Sequence, residues 1–138
     1  LVPGMDAMEA GLRMREIIPA LQKLWKGDYA HEGKYFQFPS STSIPKPLQP
    51  NGPPIWVAAR DPNSFEFAIA NDWHVQVTPL WKGLEEIRRL KKIFDETYVQ
   101  YPKKPKPLSM MLNHCYIGNN DEDSNMAAPR LSSCARSC

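Results

Sequence analysis

From Ile55 to about residue 118 the chain alternates short apolar runs with stretches of helical periodicity. The apolar runs are bounded by residues that break regular structure and predict buried strands, and the stretches between them predict helices. The predicted order is strand, helix, strand, helix, strand, over residues 55–59, 62–71, 74–78, 83–101 and 108–118. Strict alternation with short connections favours right-handed crossovers and therefore a parallel sheet. A further helix is expected to begin at Asp121.

The two predicted helices between the strands carry start signals and apolar faces. Asp61 is expected to cap the first helix, and Pro62 suits its first turn, where a missing N–H costs nothing. The apolar face of this helix is formed by Phe65, Ala68 and Ile69. The apolar stripe of the second helix is formed by Leu84, Ile87, Leu90, Phe94 and Tyr98. Glu85 and Arg89 lie four residues apart, the spacing that supports an exposed helix face.

The first part of the chain predicts a helix followed by a hairpin. Asp6 and Glu9 have the spacing of a capping box, and Gly27 is expected to end the helix. Pro19 lies inside the helical pattern and predicts a kink or a split just before it. Residues 29–38 then predict a hairpin with a tight turn at Glu32-Gly33, where glycine takes a positive φ.

Residues 39–54 contain six prolines and exclude a regular element. The segment predicts a long, stiffened connection between the hairpin and the next strand. Its PKPLQP run also has the Pro-x-x-Pro spacing of a polyproline ligand. Such ligands usually lie in exposed, disordered chain, so the connecting role is the preferred interpretation.

Length and charge limit the classes of function. A chain of 138 residues suits one compact domain, and a formal net charge of +2 selects neither nucleic acid nor an anionic membrane as partner. No apolar run approaches the ~20 residues that span a bilayer. Three cysteines do not make a disulfide framework and predict a reducing, cytoplasmic setting. Because the chain starts with Leu1, and residues 129–138 carry little apolar periodicity, we expect a fragment with a disordered tail.

No metal site is predicted. The three histidines are about forty residues apart, so no pair has the i, i+4 spacing of a helical metal site. His74 and His114 are interpreted as structural, with a position at a ligand pocket as the alternative. Cys115 is expected to be an inert core residue, because no base is placed beside it. Cys134 and Cys138 lack two further ligands in the sequence.

Three stretches of the chain carry a resemblance to a known family. The first joins the helix end ALQKLWKG to the hairpin YAHEGKYFQFP, and the second is the proline-rich run into a strand, IPKPLQPNGPPIWVAAR. The third is the helix-to-strand step FAIANDWHVQVTPL. The order and spacing of these stretches resemble the bacterial luciferase-like, flavin-dependent monooxygenases over roughly residues 8–128, and the tail from Pro129 does not match.

The resemblance implies a section of a (β/α)8 barrel of the TIM type, with the hairpin and proline-rich segment as an insertion. Residues 1–128 would form this partial barrel domain, which supplies about three strands of a fold that takes ~250 residues. The implied activity is oxidation of a small organic substrate with O2 and reduced FMN, and the deazaflavin F420 is the alternative cofactor. A separate flavin reductase and a homo-oligomer are the implied partners. Family catalytic residues lie mostly in an N-terminal half that this chain does not contain, so none is assigned.

The strand-to-helix junction at residues 58–64 is the predicted cofactor site. Strand ends in such barrels open onto the active-site face, and the first-turn amides of a helix attract anions. The resemblance assigns the cofactor phosphate to this loop, and the residues expected to hold it are Ala58, Ala59, Arg60 and Ser64. Asp61 would compete for the same amides, and many capped junctions of this kind bind nothing. Thr78, at the end of the next strand, is the predicted substrate contact.

The alternative function is a non-catalytic fragment that acts as an oligomerising or interaction module. An exposed sheet edge and uncovered apolar helix faces would drive such association.

Overall fold

The structure, a computed structural model, describes residues 7–79, 82–113 and 117–127. The chain divides into two compact units, Leu1–Pro54 and Ile55–Cys138. The predictions made for Asp6, His114, Cys115, Cys134, Cys138 and the tail lie outside the described residues.

The first unit consists of one helix and a hairpin. Helix α1 spans Ala7–Lys26 and ends directly before Gly27, as predicted. It continues through Pro19, so the predicted split is absent. Proline removes a single backbone donor there, and the turns on either side are held by the packing of α1 against the hairpin, which offsets that loss.

Strands β1 (Tyr29–Glu32) and β2 (Gln37–Ser41) form the predicted antiparallel hairpin. The predicted tight turn at Glu32-Gly33 is wrong. The connection is a four-residue loop in which the Gly33 N–H donates to Phe36 O at 2.9 Å, and Gly33 does not have a positive φ. Glycine is needed there for another reason, because a Cβ would lie 2.0 Å from Oε1 of Glu16.

The Glu16 carboxylate fixes this loop. It accepts hydrogen bonds from three successive amides, those of Lys34, Tyr35 and Phe36, at 2.8–3.1 Å. It also contacts Nε2 of His31 at 3.2 Å. One side chain of α1 thus satisfies the backbone donors that a two-residue turn would have paired within the hairpin.

The proline-rich segment has no regular structure after Ser41, as predicted. It returns to α1 at Gly52, which has a φ of +81°. A Cβ on Gly52 would lie 2.2 Å from the Trp25 ring, so both the conformation and the close approach require glycine.

The second unit is a parallel sheet with helices between its strands. Its elements in chain order are β3 (Trp56–Ala58), α2 (Pro62–Ala70), β4 (His74–Val77), α3 (Gly83–Tyr98) and β5 (Ser109–Met111). The strand order is β3-β4-β5, both pairs are parallel, and residues 121–127 are helical. The predicted alternation is confirmed. The strands are shorter than the apolar runs, since a strand extends only where it has a hydrogen-bonded neighbour.

The core of the second unit lies between the sheet and the two helices. The face of α2 predicted to be apolar is buried, and its partners from the sheet and α3 are Val57, Val75, Leu90 and Phe94. The predicted stripe of α3 is wrong at its first position, because Leu84 is 59% exposed. Glu86 is buried in its place. The predicted Glu85–Arg89 pair is replaced by Glu85–Arg88 and Glu86–Arg89.

The sheet has two distinct faces. Val75, Val77 and Met111 point towards α2 and α3 and line an apolar cavity of about 280 Å³ together with Phe65 and Phe94. Alternate residues of the same strands point to the opposite face. Within the described ranges, no helix is long and apolar enough to cross a membrane.

Candidate functional site

The β3–α2 junction is closed by Asp61, the predicted cap. Its Oδ1 accepts from the Ser64 N–H at 3.1 Å, and its Oδ2 accepts from the Ser64 hydroxyl at 2.7 Å. Pro62 occupies the first turn and has no N–H to offer. The cap therefore already engages the amide and hydroxyl of Ser64, and a phosphate at this helix end would compete with the Asp61 carboxylate.

The two alanines of the junction differ in accessibility. Ala58 is exposed at the end of β3. Ala59 is fully buried, and its N–H donates to Gln76 O at 2.9 Å, continuing the hydrogen bonding between β3 and β4. Small side chains do bring the backbone close to any ligand at this edge, but the amide of Ala59 is already paired.

Arg60 reaches across to the first turn of α3. Its Nη2 lies 3.0 Å from Oε1 of Glu86, and the same oxygen accepts from Arg89 Nη2 at 2.7 Å. Arg89 Nε donates to the other carboxylate oxygen at 2.8 Å, so Arg89 binds Glu86 with two parallel hydrogen bonds. Arg89 also contacts the Arg60 carbonyl oxygen at 3.3 Å. We call Arg60, Glu86 and Arg89 the arginine cluster.

The electrostatics of the arginine cluster follow from burial of its anion. The Glu86 side chain is 4% exposed, whereas Arg60 and Arg89 are 40% and 49% exposed. Hydrogen bonds from Arg89 and then Arg60 outweigh the cost of burial and lower the pKa of Glu86 to about 2. The same contact raises the pKa of Arg89. The carboxylate is charged at neutral pH and holds both guanidinium groups in place.

The charge of this region suits an anion. Lys82 also acts on Glu86, so the cations Arg60, Lys82 and Arg89 outnumber the carboxylates of Asp61 and Glu86 by one. Among the described residues, Arg60 uses only its Nη2 donor, which leaves the rest of its guanidinium for a ligand. The arginine cluster therefore offers charged donors to an anion, whereas the Ser64 amide of α2 is already capped by Asp61.

The sheet face opposite the helices borders the same junction. Trp56 and His74 pack together with ring centroids 4.8 Å apart, and His74 Nδ1 accepts from the Leu108 N–H at 3.3 Å. His74 is thus a packed structural residue, as interpreted from the sequence. Further along this face lie Gln76 and Met110, and the half-buried Thr78 follows β4.

Sequence reasoning missed Glu86 and Arg89 as site residues. The signal that could have identified Glu86 is its position in the helical repeat, because it lies on the same helix face as Leu90, Phe94 and Thr97. An acidic residue in register with a buried stripe indicates a carboxylate with cationic partners. No group of three or more potential metal ligands occurs within the part of the chain that the structure describes.

The sequence pattern of the luciferase-like monooxygenases matches residues 2–133 of this chain. The chain belongs to this family. A crystal structure of the monooxygenase RslO1 from Streptomyces bottropensis superimposes with a TM-score of 0.76 at 23% identity, over 96% of this chain and 41% of that one. This likeness confirms the predicted fold class, since the three parallel strands and their helices match part of a luciferase-like TIM-type barrel.

Two curated relatives extend the comparison. The oxygenase component of the flavin-dependent trigonelline monooxygenase of Acinetobacter baylyi is 51% identical over 131 residues, covering 95% of this chain and 36% of the relative. An uncharacterized protein of Sinorhizobium fredii, y4vJ, is 27% identical over 119 residues, covering 86% of this chain and 34% of that protein. The chain spans about a third of the length of both.

Proposed function

We propose that the chain is the cofactor-phosphate section of a flavin-dependent monooxygenase. The observation that carries the proposal is the arginine cluster, which places two anchored, half-exposed guanidinium groups beside the carboxyl end of β3. Ligands of parallel α/β sheets bind at this edge. The 51% identity to an oxygenase component that is named for its flavin supports the choice of ligand.

Within this proposal the residues of the junction have separate roles. Arg60 binds the phosphate directly, and Arg89 adds positive charge while holding the Arg60 carbonyl in place. Ala58 and Ala59 keep the junction narrow so that the phosphate approaches the backbone. Ser64 contributes its hydroxyl when the ligand displaces part of the Asp61 cap. Thr78, half-buried directly after β4, is assigned to contact with the substrate.

Reduced flavin, when bound, would supply the chemistry that activates O2 for oxidation of an organic substrate. The chain's own contribution is to position the cofactor and to exclude water. We propose reduced FMN, with F420 as the alternative, and a separate reductase that delivers the reduced cofactor. Trigonelline is the first substrate to test, because it appears in the name of the relative.

The proposal is tested by anaerobic titration with reduced FMN and with riboflavin, which lacks the phosphate. Two proteins are used: the 138-residue chain, and a chimaera in which it replaces the aligned segment of the trigonelline monooxygenase. Arg60→Ala is expected to weaken FMN binding about tenfold or more and to leave riboflavin binding unchanged, because a charged hydrogen bond to phosphate is lost. Equal FMN affinity in the variant would refute the phosphate assignment.

A second candidate is an oligomerising module, which the exposed apolar side chains of Trp56, Met110 and Leu112 favour. Sedimentation of the chain with and without FMN separates the two candidates. A monomer that binds FMN supports the monooxygenase function, and an oligomer that does not bind FMN supports the oligomerising module.

A further inference from the structure

Gln76 occupies the central position of the sheet face opposite α2 and α3. It lies on the middle strand, in register with Ala58 on one side and Met110 on the other. Residues in register share a face, and the neighbours Val75 and Val77 point to the cavity on the helix side. The Gln76 side chain therefore projects from the open face between a methyl group and a thioether.

The Gln76 amide is half-buried and, among the residues that the structure describes, makes no side-chain hydrogen bond. Its backbone carbonyl is engaged by the Ala59 N–H at 2.9 Å, so the residue is held firmly at the junction. A glutamine offers both a donor and an acceptor. An amide of this kind, fixed between apolar neighbours, is suited to a ligand with neutral hydroxyl groups.

The distance from the arginine cluster defines which part of a ligand Gln76 reaches. Adjacent strands lie about 4.8 Å apart, and a strand rises about 3.3 Å per residue. A phosphate at Arg60 would therefore lie one strand away from Gln76 and one or two residues further along the strand direction. In FMN the group next to the phosphate is the ribityl chain, whose hydroxyls need neutral donors and acceptors.

We propose that Gln76 binds the ribityl hydroxyls of the flavin and so sets the direction in which the cofactor leaves its phosphate site. This inference rests on the proposed flavin function. It assigns to Gln76 a positioning role, and no part in the redox chemistry.

The test compares three reduced flavins: FMN, riboflavin and lumiflavin, which lacks the ribityl chain. Gln76→Leu is made in the chain and in the chimaera, with Gln100→Leu, an exposed glutamine after α3, as matched control. Gln76→Leu is expected to weaken FMN and riboflavin equally, by about three- to tenfold, the effect of losing one neutral hydrogen bond or two. Lumiflavin affinity and the unfolding midpoint are expected to stay unchanged, as are all affinities of Gln100→Leu.

Two results overturn the inference while leaving the flavin function intact. If Gln76→Leu leaves the affinities for FMN and riboflavin unchanged, Gln76 does not contact the ribityl chain. If it weakens lumiflavin binding by the same factor, the contact is with the flavin ring and not with the ribityl chain. If neither protein binds FMN before substitution, the proposed function itself fails and the role of Gln76 falls with it. That outcome is read from the unsubstituted proteins, so the two failures are distinguishable.

Discussion

Arg60 and Glu86 lie 26 positions apart in the sequence and are joined by a 3.0 Å hydrogen bond between Nη2 and Oε1. Because Glu86 is buried in the first turn of α3, this contact ties the loop after β3 to the helix after β4. It also orients a guanidinium at the sheet edge where the phosphate is proposed. One ion pair thus links the stability of the unit to its candidate site.

Glu86→Gln is expected to destabilise the second unit and to change its pH dependence. The folded pKa of about 2 lies below the ordinary glutamate pKa of 4.5, so the charged form stabilises the fold above about pH 4.5. This stabilisation is lost as the pH falls towards 2. Thermal unfolding midpoints between pH 7 and pH 3 are expected to fall less steeply for Glu86→Gln than for the unsubstituted chain. Glu85→Gln, at an exposed neighbour, is the control.

Asp61→Ala is expected to lower the free energy of unfolding by about 0.5–2 kcal/mol, the usual effect of removing an N-cap side chain. The loss arises because the Ser64 N–H no longer has its 3.1 Å acceptor. Asp61→Asn keeps an acceptor at this position and is expected to lose less. Denaturant unfolding measures both variants, and equal losses would show that the cap acts through charge alone.

Leu90→Ala and Leu84→Ala form a matched pair on α3. Leu90 is buried against the sheet, whereas Leu84 is 59% exposed. Removing the Leu90 side chain is expected to cost about 2–5 kcal/mol. Leu84→Ala is expected to stay within about 0.5 kcal/mol of the unsubstituted chain. The two free energies of unfolding, measured in the same denaturant series, test whether Leu84 lies outside the buried stripe that contains Leu90.

Local signals in the sequence were sufficient for the elements of this fold. The cap at Asp61, the proline after it and the alternation of apolar runs all act within a few residues, and each was confirmed. The predicted burial of Leu84 was wrong, because a helical stripe defined by apolar residues alone does not show which end of the helix extends beyond the sheet.

The periodicity of apolar residues does not predict contacts between residues that are far apart in the sequence. The partner of Glu86 depends on where the β3–α2 loop passes α3, which only the assembled sheet determines. The hairpin loop is a similar case. A glycine after Glu32 signals a tight turn, but the carboxylate of Glu16, from α1, supplies an acceptor that makes a wider loop favourable.

Gly33→Ala is expected to destabilise the first unit, because the new Cβ would lie 2.0 Å from Glu16 Oε1 and 2.5 Å from His31 Nε2. Relief of this clash requires the carboxylate to leave at least one of the amides of Lys34, Tyr35 and Phe36, and we expect a loss of about 1–3 kcal/mol, as for other overpacked sites. Gly11→Ala is the control, since a Cβ there meets nothing within 4 Å, and alanine in a helix interior is expected to stabilise.

The pH dependence of the same contact separates a clash from a loss of hydrogen bonding. Burial raises the pKa of Glu16, but hydrogen bonds from the amides of Phe36 and Tyr35, with those from His31 and Lys34, outweigh it and lower the pKa. The carboxylate therefore stabilises the hairpin at neutral pH and loses this effect as the pH falls below its ordinary value of 4.5. The protection factors of amides 34–36, which are exchange rates corrected for the intrinsic effect of pH, are expected to fall on acidification in the unsubstituted chain. In Gly33→Ala they are expected to be low already at pH 7, and high protection there would show that the loop tolerates the methyl group.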